Sequence, residues 1–298
     1  MKHFFFFIGL LLFSCIEKID IEIDDDEEAK IVFDGLLSNE ASPYYFKLTK
    51  SASLSDDSNE GIADAFITIS DESGVIDTLE SLVANISGTD MSCYGLYRTT
   101  KIVGCEGETY HLFIQYANKT YEAMETMPFA THIDSLWVEK LKLETKDESV
   151  FCPLINFKNA LNVENYYLFT YSSHFRKDPM QDLLESEWRV WPVSILDGKR
   201  LPIDVVSFNL NDGEAVKGSE ENINFIFSER DSNFVYMYSI SESCYLFYEQ
   251  LLSQIRYDGG AFMPSPSSAK GNISNGALGQ FRVNAVSSKG FLLRDYTF

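Results

Sequence analysis

The chain has 298 residues, a formal net charge of −21 and 14% aromatic residues. So acidic a protein is repelled by phosphate backbones, which argues against nucleic acid as a partner. The length suits one large or two ordinary domains, and the aromatic content favours β-sheet.

Residues 1–14 have the composition of a bacterial signal peptide. Lys2 gives a positive start, and residues 4–13 form an apolar run of ten. Ten residues are too few to span a bilayer as a helix, which needs about 20. They do match the apolar segment of a secretory signal. We therefore expect residues 1–14 to be removed during export.

The apolar run ends in a pattern that resembles a bacterial lipobox. Leu12 stands at position −3, Ser14 at −1 and Cys15 at +1 relative to the expected cleavage site. This pattern predicts that Cys15 carries diacylglycerol and a further acyl chain such as palmitate. The acyl chains would anchor the protein because each buried CH₂ contributes about 0.8 kcal/mol. An ordinary cleaved signal peptide, with Cys15 incidental, is the alternative.

Residues 15–29 predict a solvated tether between the lipid and the folded body. Between residues 17 and 28, eight acids stand against one lysine, and blocks of like charge repel and stay extended. The run has no glycine to form the turn of a calcium loop, so we expect no metal there. An acidic run directly after a lipidated cysteine resembles the surface-export signal of Bacteroidota lipoproteins. This resemblance predicts an outer-membrane protein that faces the extracellular side.

Residues 30–128 have the pattern of a β-sandwich. Residues 65–70 alternate in the period of a strand, and residues 109–116 and 120–124 form a hairpin pattern around an Asn-Lys turn. Short strands at roughly ten-residue spacing, separated by turns, are typical of a sandwich. We expect a β-sandwich over this part of the chain, and it resembles the transthyretin-like and immunoglobulin-like domains.

Residues 129–298 predict a second, β-rich domain. The predicted strands cover residues 136–143, 150–157, 166–172, 188–195, 203–210, 223–227, 234–240 and 281–286. The fold class predicted for the whole chain is therefore mostly β.

Residues 240–257 predict one amphipathic helix within this second domain. The residues that fall on a single apolar face are Cys244, Tyr248, Leu251 and Ile255. Ser239 and Glu242 have the spacing of a capping box. We expect the apolar face to pack against a sheet.

The cysteines beyond Cys15 favour one disulfide. Four remain, and they allow three pairings between which sequence alone does not choose. Cys93 and Cys105 flank one strand-like segment, so we favour that pair in an oxidising location. The chain has no C-x-x-C motif and its histidines are scattered, so we expect no metal site.

The stretch 264–279 predicts a shaped loop before the last strand. Two prolines prevent regular pairing at its start. Its candidate functional residues are Gly271, Asn272, Asn275, Gly276 and Gly279. The loop precedes a strand, so it lacks the helix N-terminus that would cradle a phosphate. It serves either the fold or a ligand or partner contact, and both interpretations stay open here.

Several short motifs together resemble a known family. In chain order they are Ala65-x-Ile67-x-Ile69, Gly95-x-Tyr97, Gly107-x-x-Tyr110 and Gly271-Asn272-Ile273-x-Asn275-Gly276-x-x-Gly279-x-Phe281. Their order and spacing resemble domain-of-unknown-function family 4249 of Bacteroidota outer-membrane lipoproteins. The resemblance implies a protein without assigned enzyme activity or catalytic residues. It also implies an accessory or ligand-capturing role beside a TonB-dependent receptor.

Three functions are compatible with the sequence. The first is a binding or accessory lipoprotein that works with a TonB-dependent transporter. The second is a structural or assembly subunit of an envelope complex. The third is a glycan-active enzyme, although the G-x-S-x-G, G-x-G-x-x-G, P-loop and H-E-x-x-H motifs are all absent. We expect a protein that is not an enzyme and has no cofactor apart from its lipid.

Overall fold

The computed structural model describes residues 29–52, 59–82, 85–86, 89–90, 94–142, 149–159, 164–172, 194–197, 206–209, 232–255 and 269–296. The predicted signal peptide, Cys15, Cys93 and nearly all of the acidic tether lie outside these residues. So does the predicted strand at 223–227.

The described chain is mostly β-strand, which confirms the predicted fold class. In chain order the strands are β1 (Ile31–Ser38), β2 (Tyr45–Lys50), β3 (Phe66–Asp71), β4 (Ile76–Thr78), β5 (Glu80–Ser81), β6 (Asn85–Ile86), β7 (Thr89–Asp90), β8 (Leu96–Arg98), β9 (Thr109–Tyr116), β10 (Lys119–Thr126), β11 (Ile133–Lys142), β12 (Ser149–Phe157), β13 (Tyr166–Ser172), β14 (Ser194–Asp197), β15 (Val206–Asn209), β16 (Asn233–Ile240) and β17 (Leu278–Phe291). The helix α1 covers Glu242–Ile255, and a 3₁₀ turn covers Leu293–Asp295.

One eight-stranded sheet organises the fold. Its strand order is β14-β13-β16-β17-β1-β2-β8-β5. The last strand, β17, lies between β1, which it pairs in parallel, and β16, which it pairs antiparallel. The two ends of the described chain therefore meet at the middle of this sheet.

A four-stranded sheet of order β10-β9-β3-β4 packs on one face of the large sheet. In β3, Ile67 and Ile69 are fully buried and face inward, as the alternation predicts. Phe33 and Phe46 of the large sheet pack in the same core, and the centroids of their two rings lie 5.5 Å apart. The result is a sandwich-like core of two sheets; whether it has transthyretin or immunoglobulin topology stays a prediction.

A second core lies further along the same face of the large sheet. There the sheet β11-β12-β15 packs against strands β13 and β16. Phe157 and Tyr167 meet edge to face at 5.1 Å, and Met237 is fully buried beside them. Aromatic residues therefore form the centre of both cores.

Helix α1 covers the opposite face of the large sheet. Its buried residue Cys244 packs with Tyr238, Ile240 and Val286. The helix lies within the predicted range 240–257, and its apolar face packs on a sheet as predicted. None of the helices among the described residues has the length and hydropathy needed to cross a membrane.

Strand β17 contributes to both cores. Phe281, Val283 and Ala285 pack in the first core, whereas Phe291 packs in the second. The predicted division into residues 30–128 and 129–298 stays a prediction. The packing nevertheless places the first half of β17 with the N-terminal strands.

Candidate functional site

The loop before β17 turns back on itself at two left-handed residues. Asn275 and Gly276 have φ angles of 56° and 75°, a region that asparagine and glycine adopt more readily than other residues. The Ala277 N–H donates to the Ser274 carbonyl oxygen at 3.3 Å and closes the turn. The turn lies where the sequence predicts a shaped loop.

The loop runs along the outer edge of β10, the last strand of the four-stranded sheet. The Asn275 side-chain amide donates to the Thr120 carbonyl oxygen at 2.6 Å. The Ser274 N–H donates to the Glu122 carbonyl oxygen at 2.9 Å, and the Ser274 hydroxyl accepts from the Glu122 N–H at 2.8 Å. Unpaired groups at a sheet edge invite pairing with other chains. The loop satisfies several of these groups within the chain itself.

Asn272 fixes the loop to the start of β17. Its side chain accepts a hydrogen bond from the Phe281 N–H and donates one to the Phe281 carbonyl oxygen, both at 2.9 Å. The Asn272 N–H in turn donates to the side-chain oxygen of Gln280 at 3.0 Å. An amide side chain used in this way imitates a backbone strand partner.

Two glycines permit close backbone contacts in the same place. A Cβ on Gly271 would overlap the carbonyl oxygen of Gly279, and a Cβ on Gly279 would overlap the carbonyl oxygen of Phe33. By contrast, Gly276 has open space around its Cα. The residues predicted for this site therefore hold the strands together, which favours the structural interpretation of the loop over the ligand-binding one.

A small polar cluster joins this loop to the N-terminus of α1. The Glu125 carboxylate, on β10, accepts from the Ser243 hydroxyl at 2.5 Å and from the Asn272 side-chain amide at 3.1 Å. The Gln280 side-chain amide donates to the Ser243 hydroxyl at 3.3 Å. A carboxylate near a helix N-terminus is favourable because the helix dipole is positive there. The cluster links the four-stranded sheet, the helix and β17.

The predicted capping box at the start of α1 is wrong. The Ser241 hydroxyl accepts from the Cys244 N–H at 3.2 Å and is the N-cap. Ser239 instead lies in β16, where its hydroxyl accepts from the Thr131 N–H at 3.0 Å. The prediction failed because two serines stand within reach of the helix start, and strand pairing claims the first of them.

An ion pair lies between α1 and the large sheet. The Arg282 guanidinium donates to the Asp34 carboxylate at 2.6 Å and to the Tyr248 hydroxyl at 3.1 Å. Burial raises the pKa of Tyr248 to about 12, so its hydroxyl stays protonated at neutral pH. The arginine is thus held from both sides and connects β1, β17 and the helix.

The buried thiol of Cys244 is not activated. Burial raises the pKa of the Cys244 thiol to about 12, so it is neither a nucleophile nor a metal ligand at neutral pH. Cys105 is exposed and its thiol is free. Its predicted disulfide partner Cys93 lies outside the described residues, so that pairing stays a prediction.

The side-chain amide of Asn284 is buried beside Cys244. The Cys244 thiol is the polar group that interacts with it, and this contact lowers the thiol pKa slightly against the larger effect of burial.

A small cleft opens beside the helix N-terminus, with a volume of about 190 Å³. Its lining residues are Pro128, Glu164, Asn165, Tyr166, Ser239, Ile240, Ser241 and Glu242. The Tyr166 hydroxyl donates to the Glu242 carboxylate at 3.2 Å across it. Ligand pockets usually measure about 300–1,000 Å³, so this cleft could enclose only part of an ordinary ligand. Across the described residues, no three His, Cys, Asp or Glu side chains are placed to hold a metal ion.

A family model described as "Domain of unknown function (DUF4249)" matches residues 16–290. The chain belongs to the DUF4249 family. The matched region includes the strands of both cores, helix α1 and nearly all of β17, and it confirms the resemblance inferred from the short motifs. No curated protein matches the chain.

Sequence reasoning missed the polar contacts that hold this DUF4249 protein together. Glu125, Ser243 and Arg282 carried no local signal for these contacts, because the partners that join them to other elements lie 34 to 248 residues away along the chain. The signal that did exist was the alternation in β17, where Gln280, Arg282 and Asn284 occupy one face. Polar residues at every second position of an otherwise apolar strand indicate a polar interface on that face.

Proposed function

We propose that this DUF4249 protein is an outer-membrane lipoprotein that serves as an accessory or ligand-binding partner of a TonB-dependent transporter. The observation that carries the proposal is the N-terminal sequence, in which an apolar run ends at Ser14-Cys15 and an acidic run follows. The proposed anchor is the acylated Cys15, and the proposed tether is the acidic run. The family resemblance implies the transporter as the partner.

The described body is a β scaffold of packed sheets, which supports the proposed accessory role. Such a scaffold suits a protein that presents surfaces to other molecules.

The anchor is tested by replacing Cys15 with Ala. We expect the variant to leave the membrane fraction and to lose incorporation of an alkyne-labelled fatty acid, because no other acyl anchor is proposed. Cys105→Ala is the matched control, since Cys105 is exposed and free and should keep both label and membrane. If Cys15→Ala stayed in the membrane fraction and kept its label, the anchor would be wrong.

The transporter role is tested against the alternative of a structural subunit of an envelope complex. Deletion of the protein should reduce uptake of one nutrient while the envelope remains intact. Intact uptake combined with detergent sensitivity or defective envelope assembly would favour the structural subunit. The covered edge of β10 and the small cleft are compatible with that alternative, because neither feature requires a small ligand.

A further inference from the structure

The outward face of the four-stranded sheet exposes large apolar side chains to solvent. Alternation turns Ile67, Ile69 and Ile114 into the core, where each is fully buried. The same alternation turns Phe66, Phe113 and other residues outward. Because these four strands are described along their whole length, the composition of their outward face is fully known.

Exposed large hydrophobic residues concentrate on this sheet. Across the described residues seven large hydrophobics are exposed, and four of them belong to the sheet or its β3–β4 turn. These four are Phe66 (49% exposed), Val75 (38%), Ile76 (61%) and Met124 (62%). Single exposed hydrophobics are ordinary, but a cluster of them marks an interaction surface.

The strand register places three outward apolar residues, Phe66, Phe113 and Met124, next to one another. Phe113 lies opposite Thr68 on one neighbouring strand and opposite Glu122 on the other. Phe66 and Met124 stand diagonally to either side of Phe113, and diagonal neighbours in a sheet are about 7–8 Å apart. Phe66, Phe113 and Met124 therefore form one band across three strands. We call this band, with Ile76 at the far edge strand, the outer face.

The one formal charge at the outward positions of these four strands is negative. On its four strands the outward positions hold Glu122 and no lysine or arginine. The exposed acids Asp64 and Glu72 flank it, and Lys119 stands at the hairpin end. With a net charge of −21 for the chain, a second copy docked on this face would bring acid against acid. Anionic lipid would be repelled for the same reason.

We infer that the outer face is the docking surface for a partner protein whose own surface combines apolar side chains with lysine or arginine. The apolar band supplies the buried centre of the contact, and Glu122, the one charged residue at the outward positions of these strands, selects a basic partner. This inference rests on the proposed accessory role for the existence of a partner, and it adds the surface and the chemistry that recognise it.

The test places a photo-crosslinking phenylalanine analogue at position 66 of the full-length chain in its native membrane. Phe129 is the matched control because it is 74% exposed and lies outside the outer face. We expect a discrete adduct from position 66 and none from position 129. The crosslinked peptide of the partner should contain apolar residues with lysine or arginine beside them.

Charge reversal tests the recognition itself. Glu122→Lys should lower the adduct yield roughly tenfold, because like charges across an interface are strongly unfavourable. Glu249→Lys, an equal change at an exposed position of α1, should leave the yield unchanged. Ile76→Asn serves as a second variant if Glu122→Lys lowers the melting temperature, and it too should reduce the adduct.

The outcomes separate this inference from the proposed function. An adduct with a second copy or with lipid, an adduct only from position 129, or equal yields with Glu122→Lys and Glu249→Lys would each overturn the docking surface. A basic, apolar partner captured at position 66 that is not a transporter would support the docking surface and contradict the proposed function. A transporter crosslinked only from position 129 would support the proposed function and contradict the docking surface.

Discussion

The Asp77 carboxylate is fully buried and accepts four hydrogen bonds. Three come from the backbone N–H groups of Thr100, Lys101 and Ile102 at 2.6–2.9 Å, and one comes from the Thr100 hydroxyl at 2.7 Å. Burial alone would raise its pKa, but these donors outweigh burial and lower the pKa below its usual value. The residue fastens β4 of the small sheet to the loop that follows β8 of the large one.

We expect Asp77→Asn to destabilise the fold by about 3 kcal/mol, because an amide places a donor among four donors. The folded pKa is depressed, so the carboxylate contributes its stability above the unfolded pKa of about 3.9. That contribution is lost as pH falls through the folded pKa. The test compares the thermal unfolding of the Cys15→Ala form with and without Asp77→Asn. The difference in stability between the two should therefore be constant from pH 5 to 8 and should shrink below about pH 4. Glu72→Gln, an exposed control, should show no comparable loss; equal losses would contradict the assignment.

Two glycines of the loop before β17 allow the cost of backbone conformation to be measured separately from the cost of steric crowding. Gly276 and Gly279 both have positive φ, at 75° and 89°, so alanine costs about 1–2 kcal/mol of conformational energy at either. Only Gly279 also contacts the Phe33 carbonyl. Gly279→Ala should thus lower the melting temperature clearly more than Gly276→Ala. Equal effects would show that the close contact is unimportant.

At the residue scale the sequence identified the right loop but not its purpose. Glycine and asparagine at positions 271–279 indicate a tight turn because these residues tolerate positive φ. The partners of the turn are remote, however, since Asn275 bonds Thr120 across 155 positions. Local pattern cannot supply such contacts, so the structural and ligand-binding interpretations could not be distinguished.

Helix α1 is the element that the sequence predicted best. Its apolar spacing has a period that no strand shares, so the range 240–257 holds the observed Glu242–Ile255. The cap was misplaced by two residues because Ser239 and Ser241 both stand near the start, and only tertiary packing decides which belongs to β16.

Ser241→Ala tests this corrected cap. Loss of a serine cap costs about 1 kcal/mol, which we expect as a drop of a few degrees in melting temperature. Ser253→Ala is the matched control because Ser253 is exposed within the same helix and alanine is the better helix former. If the two variants melted alike, Ser241 would not be the cap.

At the scale of the whole molecule, β17 determines the architecture. It completes the sheet between β1 and β16 and supplies side chains to both cores. The sequence predicted a last strand at residues 281–286, within the longer β17. The parallel pairing of β17 with β1 joins residues 246 positions apart, such as Val32 and Leu278. Pairings of that length depend on the assembled sheet, and for this reason the sequence suggested a boundary near residue 128 without revealing the strand that crosses it.

The surface of the whole molecule indicates how the protein is expected to act. A β body with an acidic surface, one apolar outer face and a proposed lipid tether is suited to standing beside a membrane protein and binding it. The described contacts of the loop before β17 join it to β10 and bring it close to β1, so they maintain the sheets. Function is therefore expected at the exposed sheet face and at the anchored N-terminus rather than in the loop before β17.

The measurement that tests this account most directly is isolation of the full-length, tagged protein from native membranes in mild detergent. We predict that it carries lipid on Cys15 and co-purifies in near-stoichiometric amount with a TonB-dependent receptor barrel. The complex should weaken with rising salt, because an acidic face recognises a basic partner. Recovery of the protein as an unlipidated, partner-free monomer at low salt would contradict the account.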